Sequence, residues 1–234
     1  MTFWNIFSNC SESCCLQKVD STTEVIVSPQ AVDPTQVVYE TVDRSQDLQV
    51  SSEQADLDNL EARPSTKIEQ GCVYSGQWLG SIRHGEGVLL RPEGAKYEGQ
   101  FRNNKAHGQG SFTHANGDVY DGQWLDDFAH GVGTFTTHDG SSYMGQWEND
   151  LKSGTGEERW PDSSKYRGEY LEGRKNGQGE YTAYDGAVYS GGFKEDEMTG
   201  HGTYRFSDGR YFDGNWERSK MEGQGKMCWP DGRS

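Results

Sequence analysis

Seven copies of a 23-residue unit follow one another from Tyr74 to Ser234 without an insertion or a deletion. Each copy opens with aromatic-x-Gly-x-aromatic and carries Gly-x-Gly at its positions 12 to 14. Self-similarity at a fixed period of about 20 to 50 residues is typical of arrays, in which each unit buries its apolar face against its neighbours. The repeats therefore predict a quasi-one-dimensional fold.

Positions 1, 3 and 5 of the repeat alternate in character with their neighbours, as do positions 12, 14 and 16, and this is the period of a strand. An acid-Gly pair such as Asp139-Gly140 separates most repeats and favours a tight hairpin turn. The sequence predicts an all-β fold, an elongated single-sheet antiparallel meander of seven hairpins with about 14 strands. The glycine rows let aromatic rings lie flat over bare backbone.

Repeat four departs from the pattern. It has Glu158 where the other repeats have an apolar residue, and Ser163 where they have glycine. It also has Ser153 where the three earlier repeats have histidine. We therefore expect a local bend or an altered turn at residues 162–165.

Residues 1–70 contain none of the 31 glycines and carry 12 acidic and 4 basic side chains, a net charge of −8. This shift predicts a boundary between a mostly disordered acidic arm, 1–70, and a repeat domain, 71–234. Within the arm, one short helix is predicted over 52–63, because a Ser and a Gln have capping-box spacing at its start and Pro64 would end it.

The whole chain has a formal net charge of −15. Nucleic-acid affinity rests largely on cationic side chains that meet phosphates, so this charge argues against a nucleic-acid partner. Five cysteines, an odd number without a stapling pattern, favour a reducing, cytoplasmic location. The sequence has no apolar run near the roughly 20 residues that span a bilayer.

Two units show the repeat most clearly: Tyr97-Glu-Gly-Gln-Phe101 with His107-Gly-Gln-Gly110, and Tyr120-Asp-Gly-Gln-Trp124 with His130-Gly-Val-Gly133. The pattern resembles MORN repeats (membrane occupation and recognition nexus) over residues 74–234. This family occurs in junctophilins, plant phosphatidylinositol phosphate kinases, SET-type lysine methyltransferases, ciliary spoke proteins and apicomplexan cortical scaffolds. The resemblance implies a β-ribbon, often dimeric, that organises other proteins at membranes or the cytoskeleton, sometimes by gripping a partner segment in its aromatic groove.

The aromatic rows support either packing alone or packing together with a partner groove. A single-layer sheet has two faces and cannot bury both in itself, so we favour exposed rings that bind a partner. The expected occupant is a helix or an extended segment of a partner protein, or a second copy of the chain in a homodimer. The predicted partner groove comprises Tyr74, Trp78, Tyr97, Phe101, Tyr120, Trp124, Tyr143, Trp147, Tyr166, Tyr170, Tyr189, Phe193, Phe212 and Trp216.

A cluster of four cations in repeats four and five is the candidate site for an anionic lipid headgroup, because basic clusters attract such lipids. Acidic residues are interleaved with these cations, so a solvated face of mixed charge is the alternative. The four cations are Lys165, Arg167, Arg174 and Lys175.

We expect neither a metal site nor catalysis. His84, His107 and His130 recur at one repeat position and should lie ~10 Å apart, whereas zinc ligands each lie ~2.1 Å from the metal. The sequence has no nucleophile elbow or phosphate loop, and the repeats extend to Ser234, so we expect no catalytic domain. No cofactor and no small-molecule substrate are predicted.

The N-terminal segment 1–16 has four large apolar residues within its first seven positions, followed by three cysteines. Cysteines beside an amphipathic stretch are candidates for reversible palmitoylation, and stable anchoring takes two membrane signals. A disordered tail with unmodified thiols is the alternative. The predicted lipidation sites are Cys10, Cys14 and Cys15.

The sequence thus favours a non-enzymatic scaffold at the cytoplasmic face of a membrane, at the plasma membrane or the cell cortex, which recruits a protein partner. One alternative is a phosphoinositide-binding or lipid-kinase-regulating module. The other is a cytoskeletal or ciliary structural component.

Overall fold

The computed structural model describes residues 58–234. They form one open antiparallel sheet of 15 strands, in which strands adjacent in sequence are adjacent in the sheet. The predicted all-β, single-sheet meander is confirmed. The strands are β1 (Glu61–Lys67), β2 (Val73–Leu79), β3 (Ile82–Leu90), β4 (Lys96–Arg102), β5 (Lys105–Thr113), β6 (Val119–Leu125), β7 (Phe128–Thr136), β8 (Ser142–Glu148), β9 (Leu151–Arg159), β10 (Lys165–Leu171), β11 (Arg174–Thr182), β12 (Val188–Lys194), β13 (Glu197–Arg205), β14 (Tyr211–Glu217) and β15 (Lys220–Cys228).

The first strand, β1, lies before the repeats and pairs antiparallel with β2, the first strand of repeat one. A 3-10 turn at Glu69–Gly71 joins the two strands. The helix predicted over 52–63 is wrong for its last three residues, which lie in β1, while residues 52–57 lie outside the described part. Pro64 is compatible with β1 because an edge strand does not need every backbone donor. The sheet therefore starts before residue 71 and has one strand more than predicted.

Within each repeat the two strands are joined by a two-residue loop. In repeat two, Arg102 pairs with Lys105, and the loop residues Asn103 and Asn104 have φ angles of 52° and 71°. Positive φ at both central residues is the mark of the turn whose twist matches that of paired strands. Asn and Asp, which adopt this conformation more readily than other non-glycine residues, occupy most of these loops.

The second residue of this loop also bonds to the preceding repeat. The Asn104 N–H donates to Arg83 O at 2.9 Å, and Asn104 Oδ1 accepts from the Arg83 N–H at 2.8 Å. Asp127, Asp150 and Asp196 make the same pair of bonds in later repeats. Burial raises the pKa of Asp150. The stacked loops thus hold neighbouring hairpins in register along one edge.

A three-residue loop connects each repeat to the next. In the first of these loops, the Arg91 N–H donates to Ala95 O at 2.9 Å, and the Gly94 N–H donates to Arg91 O at 3.0 Å. Gly94 has φ 94°, so the loop ends on a residue in the left-handed region, as three-residue hairpin loops commonly do.

Repeat four keeps this loop although it lacks the glycine. Ser163 has φ 72°, its N–H donates to Trp160 O at 3.0 Å, and the Trp160 N–H donates to Ser164 O at 3.0 Å. Asp162 Oδ1 accepts from the Ser164 N–H at 2.9 Å and stabilises the turn. The bend or altered turn predicted at 162–165 is therefore wrong.

The core is a row of aromatic rings against one face of the sheet. The Tyr74 ring meets Trp78 and Phe101 edge to face, at centroid distances of 5.0 and 5.1 Å. Its hydroxyl donates to Gln77 O at 2.9 Å, and burial raises the pKa of Tyr74 to about 12. A Cβ on Gly87 would lie 2.3 Å from that hydroxyl. Glycine is required there for the ring to lie flat on the backbone.

Candidate partner-binding surface

The fourteen aromatic residues predicted to line an open groove form the core of the sheet instead. None of them is more than 9% exposed, because rings of positions 1 and 5 pack edge to face within and between repeats. The expectation that these rings face solvent is wrong, since flat rings over glycine cover one another. They are Tyr74, Trp78, Tyr97, Phe101, Tyr120, Trp124, Tyr143, Trp147, Tyr166, Tyr170, Tyr189, Phe193, Phe212 and Trp216.

A second set of apolar side chains lies on the same face, at repeat positions 16 and 18. Position 16 pairs directly with position 1 across adjacent strands, as Tyr204 does with Tyr189. Phe135 in repeat three is partly buried against the core, and the large apolar side chains of this set from repeat four onward are partly buried or exposed. We call these later side chains the C-terminal aromatic strip, which consists of Trp160, Tyr181, Tyr204, Phe206, Met227 and Trp229.

The strip is made of adjoining rings. The ring centroids of Trp160 and Tyr181 are 6.1 Å apart, and those of Tyr204 and Phe206 are 4.7 Å apart. Trp229, after the last strand, is 37% exposed. Aromatic side chains that combine apolar area with low conformational entropy are enriched where proteins bind partners.

Polar groups cover the corresponding positions in the first repeats. Phe112 is 2% exposed, with the Arg91 guanidinium 5.5 Å from its ring centroid and the His114 ring 4.5 Å away. Burial lowers the pKa of His114, which favours the neutral imidazole. These groups cover the position-16 ring of repeat two, whereas Phe135 in repeat three is only partly buried.

An ionic cluster separates the two halves at the position where repeat four has Glu158. Glu158 Oε1 lies 2.5 Å from Lys152 Nζ, and its Oε2 accepts from the Tyr170 hydroxyl at 3.1 Å. Lys175 Nζ lies 3.8 Å from Glu158 Oε2 and 3.8 Å from Asp196 Oδ1. The half-buried carboxylate is satisfied by partners on both sides, as burial of a charge requires.

The family comparison agrees with the sequence pattern. The family model described as MORN repeat matches seven consecutive segments, at residues 74–96, 97–119, 120–142, 143–165, 166–188, 189–209 and 212–232. The chain belongs to the MORN-repeat family. A comparison with curated proteins gives no match.

Solved structures with some likeness to this MORN protein include TCP domains. The TCP domain of Drosophila melanogaster SAS-4, in complex with a proline-rich motif of Ana2, has 12% identity and a TM-score of 0.41, and covers 73% of this chain and 85% of its own. The TCP10 domain of Danio rerio CPAP has 13% identity and a TM-score of 0.29, and covers 67% of this chain and 88% of its own. Likeness at this level gives no information on what the MORN domain binds.

The four cations predicted to bind a lipid headgroup are divided between the two faces of the MORN sheet. Lys165 and Arg167 flank Tyr166 in β10, so they point away from the aromatic face. Arg174 is exposed and lies 3.6 Å from Glu195 Oε2. Lys175 lies on the aromatic face in the ionic cluster, with its Nζ 5.1 Å from the Trp160 ring. They do not form one basic site.

The predicted lipidation sites cannot be placed on the sheet. Cys10, Cys14 and Cys15 lie outside the described residues. Between residues 58 and 234, no helix has the length and apolarity to cross a bilayer. Within the same part of the chain, no three His, Cys, Asp or Glu side chains are grouped as metal ligands.

Sequence reasoning missed the outer half of the strip. Trp160, Phe206 and Trp229 all occupy position 18 of the MORN repeat, a position that holds Arg91 and His114 in the first two repeats. Comparing this position across repeats would have revealed an aromatic row confined to the C-terminal half. The signal lies in how the residue at position 18 changes from one repeat to the next, and not in the residues that all repeats share.

Proposed function

We propose that this MORN protein is a non-enzymatic scaffold that is tethered to the cytoplasmic face of a membrane, at the plasma membrane or cell cortex, and recruits a protein partner through the C-terminal aromatic strip. The observation that carries this proposal is the C-terminal aromatic strip, whose side chains are partly buried or, at Trp229, 37% exposed, beside fourteen rings at repeat positions 1 and 5 that are all buried. Contiguous exposed aromatic surface on an ordered domain is typical of protein interaction sites. The partner is a helix or an extended segment that lies along the strip.

The fold supports such a role because half of the strip lies on the sheet itself, while Trp160, Phe206 and Trp229 directly follow β9, β13 and β15. The strip residues within strands each pair directly with a core ring of an adjacent strand, and they are Tyr181, Tyr204 and Met227. A surface built on paired strands loses little conformational entropy when a partner binds, and this favours affinity.

Recruitment is tested with a pair of double variants on opposite faces. Phe206→Ser/Trp229→Ser removes apolar area from the strip, whereas Leu125→Ser/Leu171→Ser removes exposed apolar area elsewhere; Leu125 and Leu171 are 41% and 56% exposed. In proximity labelling from the intact protein in cells, the strip variant should lose a specific set of labelled proteins that the control retains. Equal labelling by the two variants would contradict recruitment through the strip.

The tether is tested by cell fractionation of a Cys10→Ser/Cys14→Ser/Cys15→Ser variant. Because stable anchoring by acyl chains takes more than one signal, we expect most of the protein to leave the membrane fraction. Unchanged recovery of this variant in the membrane fraction would contradict the tether. In that case, flotation of the purified triple variant with phosphoinositide vesicles would favour a lipid-binding or lipid-kinase-regulating module. Detergent-insoluble material without the cysteines would favour a cytoskeletal or ciliary component.

A further inference from the structure

The C-terminal aromatic strip presents apolar rings without an apolar cover from the described chain. Trp229 is 37% exposed, and Met221, on the same face, is 40% exposed. Cations, and not apolar groups, lie over three rings of the strip: Lys175 Nζ is 5.1 Å from the Trp160 centroid, and the guanidinium carbons of Arg210 and Arg233 are 5.0 and 5.9 Å from the centroids of Phe206 and Trp229. If a segment of the chain itself covers this strip when no partner is bound, that segment must be apolar and long enough to span rings of neighbouring repeats.

The chain carries such a segment at its start. Residues Met1–Phe7 read Met-Thr-Phe-Trp-Asn-Ile-Phe and have no charged side chain, so burying them desolvates no side-chain charge. Phe3 and Phe7 would lie ~13 Å apart in an extended chain, and equivalent positions of successive repeats lie ~10 Å apart. Two anchors of this segment therefore reach rings of neighbouring repeats.

The connecting chain has a length that suits this contact. Residues 8–59 separate the segment from the sheet in sequence, and a random coil of this length would have a root-mean-square span on the order of 40 Å. Tyr181 in β11 is ten strands from β1, a distance on the order of 50 Å along the sheet. When the span of a linker matches the distance between two sites, the effective concentration is in the millimolar range. An intrinsic docking constant of ~1 mM would then leave about half of the molecules docked.

We propose that Met1–Phe7 binds the C-terminal aromatic strip of its own chain when the protein is away from the membrane, and that membrane insertion of this segment exposes the strip. The same apolar side chains cannot be in the bilayer and on the strip, so the two equilibria are linked and the linkage is reciprocal. The inference rests on the proposed function in assigning the released strip to a partner. It adds that recruitment depends on membrane binding.

The docking is tested on the full chain by fluorine NMR with 5-fluorotryptophan, with Trp160 and Trp229 as probes of the strip. The variant Phe3→Ser/Phe7→Ser should shift both resonances and increase their solvent isotope effect, while Trp124 and Trp147, which are 3% exposed, stay unchanged. Val25→Ser/Val27→Ser removes the same number of apolar residues from the arm and serves as the matched control. Identical strip resonances in the tail variant and the wild type would overturn the proposal.

Dilution distinguishes a contact within one chain from one between two copies. Strip resonances that hold their positions from about 200 to 10 μM support docking within one chain, since the effective concentration exceeds both values. Resonances that move on dilution toward those of the tail variant would show that a second copy supplies the segment, and would overturn the proposal as stated.

The linkage is tested with neutral phosphatidylcholine vesicles. Phe206→Ser/Trp229→Ser should bind them more tightly than the wild type, by about twofold for a docking constant of ~1 mM, because docking reduces the apparent affinity in proportion to the undocked fraction. Tail-dependent strip resonances without any vesicle binding would leave docking standing and overturn its linkage to membrane insertion of Met1–Phe7. Vesicle binding with tail-independent resonances would leave the tether standing and overturn the docking.

Discussion

At the scale of single residues, the indole N–H groups show how each repeat depends on its neighbour. Trp124 Nε1 donates to Gly110 O at 2.9 Å, in the preceding repeat, and Trp147 and Trp216 make the equivalent bond. Trp78 belongs to the first repeat, and its Nε1 is buried without a hydrogen-bond partner. The preceding strand, β1, is not a repeat and does not supply the carbonyl in the equivalent place.

This difference predicts unequal costs for one substitution. Trp124→Phe removes a hydrogen bond and leaves the partly buried Gly110 O without this donor, whereas Trp78→Phe removes a donor that has no partner. Both lose similar ring area, so the free energy of unfolding should fall by about 1–3 kcal/mol more for Trp124→Phe. Urea unfolding followed by circular dichroism measures this free energy. Trp147→Phe should lower it by about as much as Trp124→Phe does. A larger loss for Trp78→Phe would contradict the assignment.

At the scale of the hairpin, repeat five lacks one half of the contact that locks neighbouring loops. The Gly173 N–H donates to Lys152 O at 2.9 Å, as its equivalents do. Glycine has no side chain to accept from the Lys152 N–H, in contrast to Asn104, which accepts from Arg83. The junction between repeats four and five therefore has one hydrogen bond fewer in its loops than most other junctions.

Gly173→Asn should restore that bond and stabilise the protein. Gly173 has φ 81°, close to the 71° of Asn104, and a Cβ there would meet Leu151 Cδ2 at an ordinary 3.7 Å. We expect a gain of about 1 kcal/mol in the free energy of unfolding. Gly173→Ala adds the Cβ without the acceptor and is expected to destabilise, as is Asn104→Gly. Equal changes in the free energy of unfolding for Gly173→Asn and Gly173→Ala would show that the asparagine side chain does not form this hydrogen bond.

The elements also show what sequence could and could not predict. Alternation and acid-Gly pairs predict the strands and the connecting loops because both are local properties of the chain. The strand β1 forms because the edge of β2 offers backbone partners, which is a tertiary effect. The loop at Ser163 persists because Asp162 and Ser164 bond to each other, which a glycine count cannot reveal.

The candidate site was less predictable than the fold, for a physical reason. A two-residue period assigns Tyr74 and Trp78 to one face of a strand, but it does not say how much of each ring its neighbours cover. Burial depends on rings from adjacent repeats and on glycine beneath them. Exposure at Trp229 depends instead on which residues fill position 18 in each repeat.

At the scale of the whole sheet, each hairpin contacts only its neighbours, so stability should behave as a sum of repeat and interface terms. The aromatic row and the loop contacts both run from one repeat to the next without a central core that all repeats share. A defect in such an array has consequences that depend on its place. A break near the middle divides the array, whereas a break near an end removes one terminal unit.

Gly133→Val and Gly225→Val test this dependence with one type of steric defect. A Cβ at Gly133 would lie 2.4 Å from the Tyr120 hydroxyl, and a Cβ at Gly225 would lie 2.2 Å from Phe212 Cζ. By hydrogen exchange with mass spectrometry, Gly225→Val should lose protection in β14 and β15 alone. Gly133→Val should lose it from β6 outward in both directions, and unfold in two transitions instead of one. An equal loss of protection over all 15 strands in either variant would show that the sheet unfolds as a single unit, and not as linked repeats.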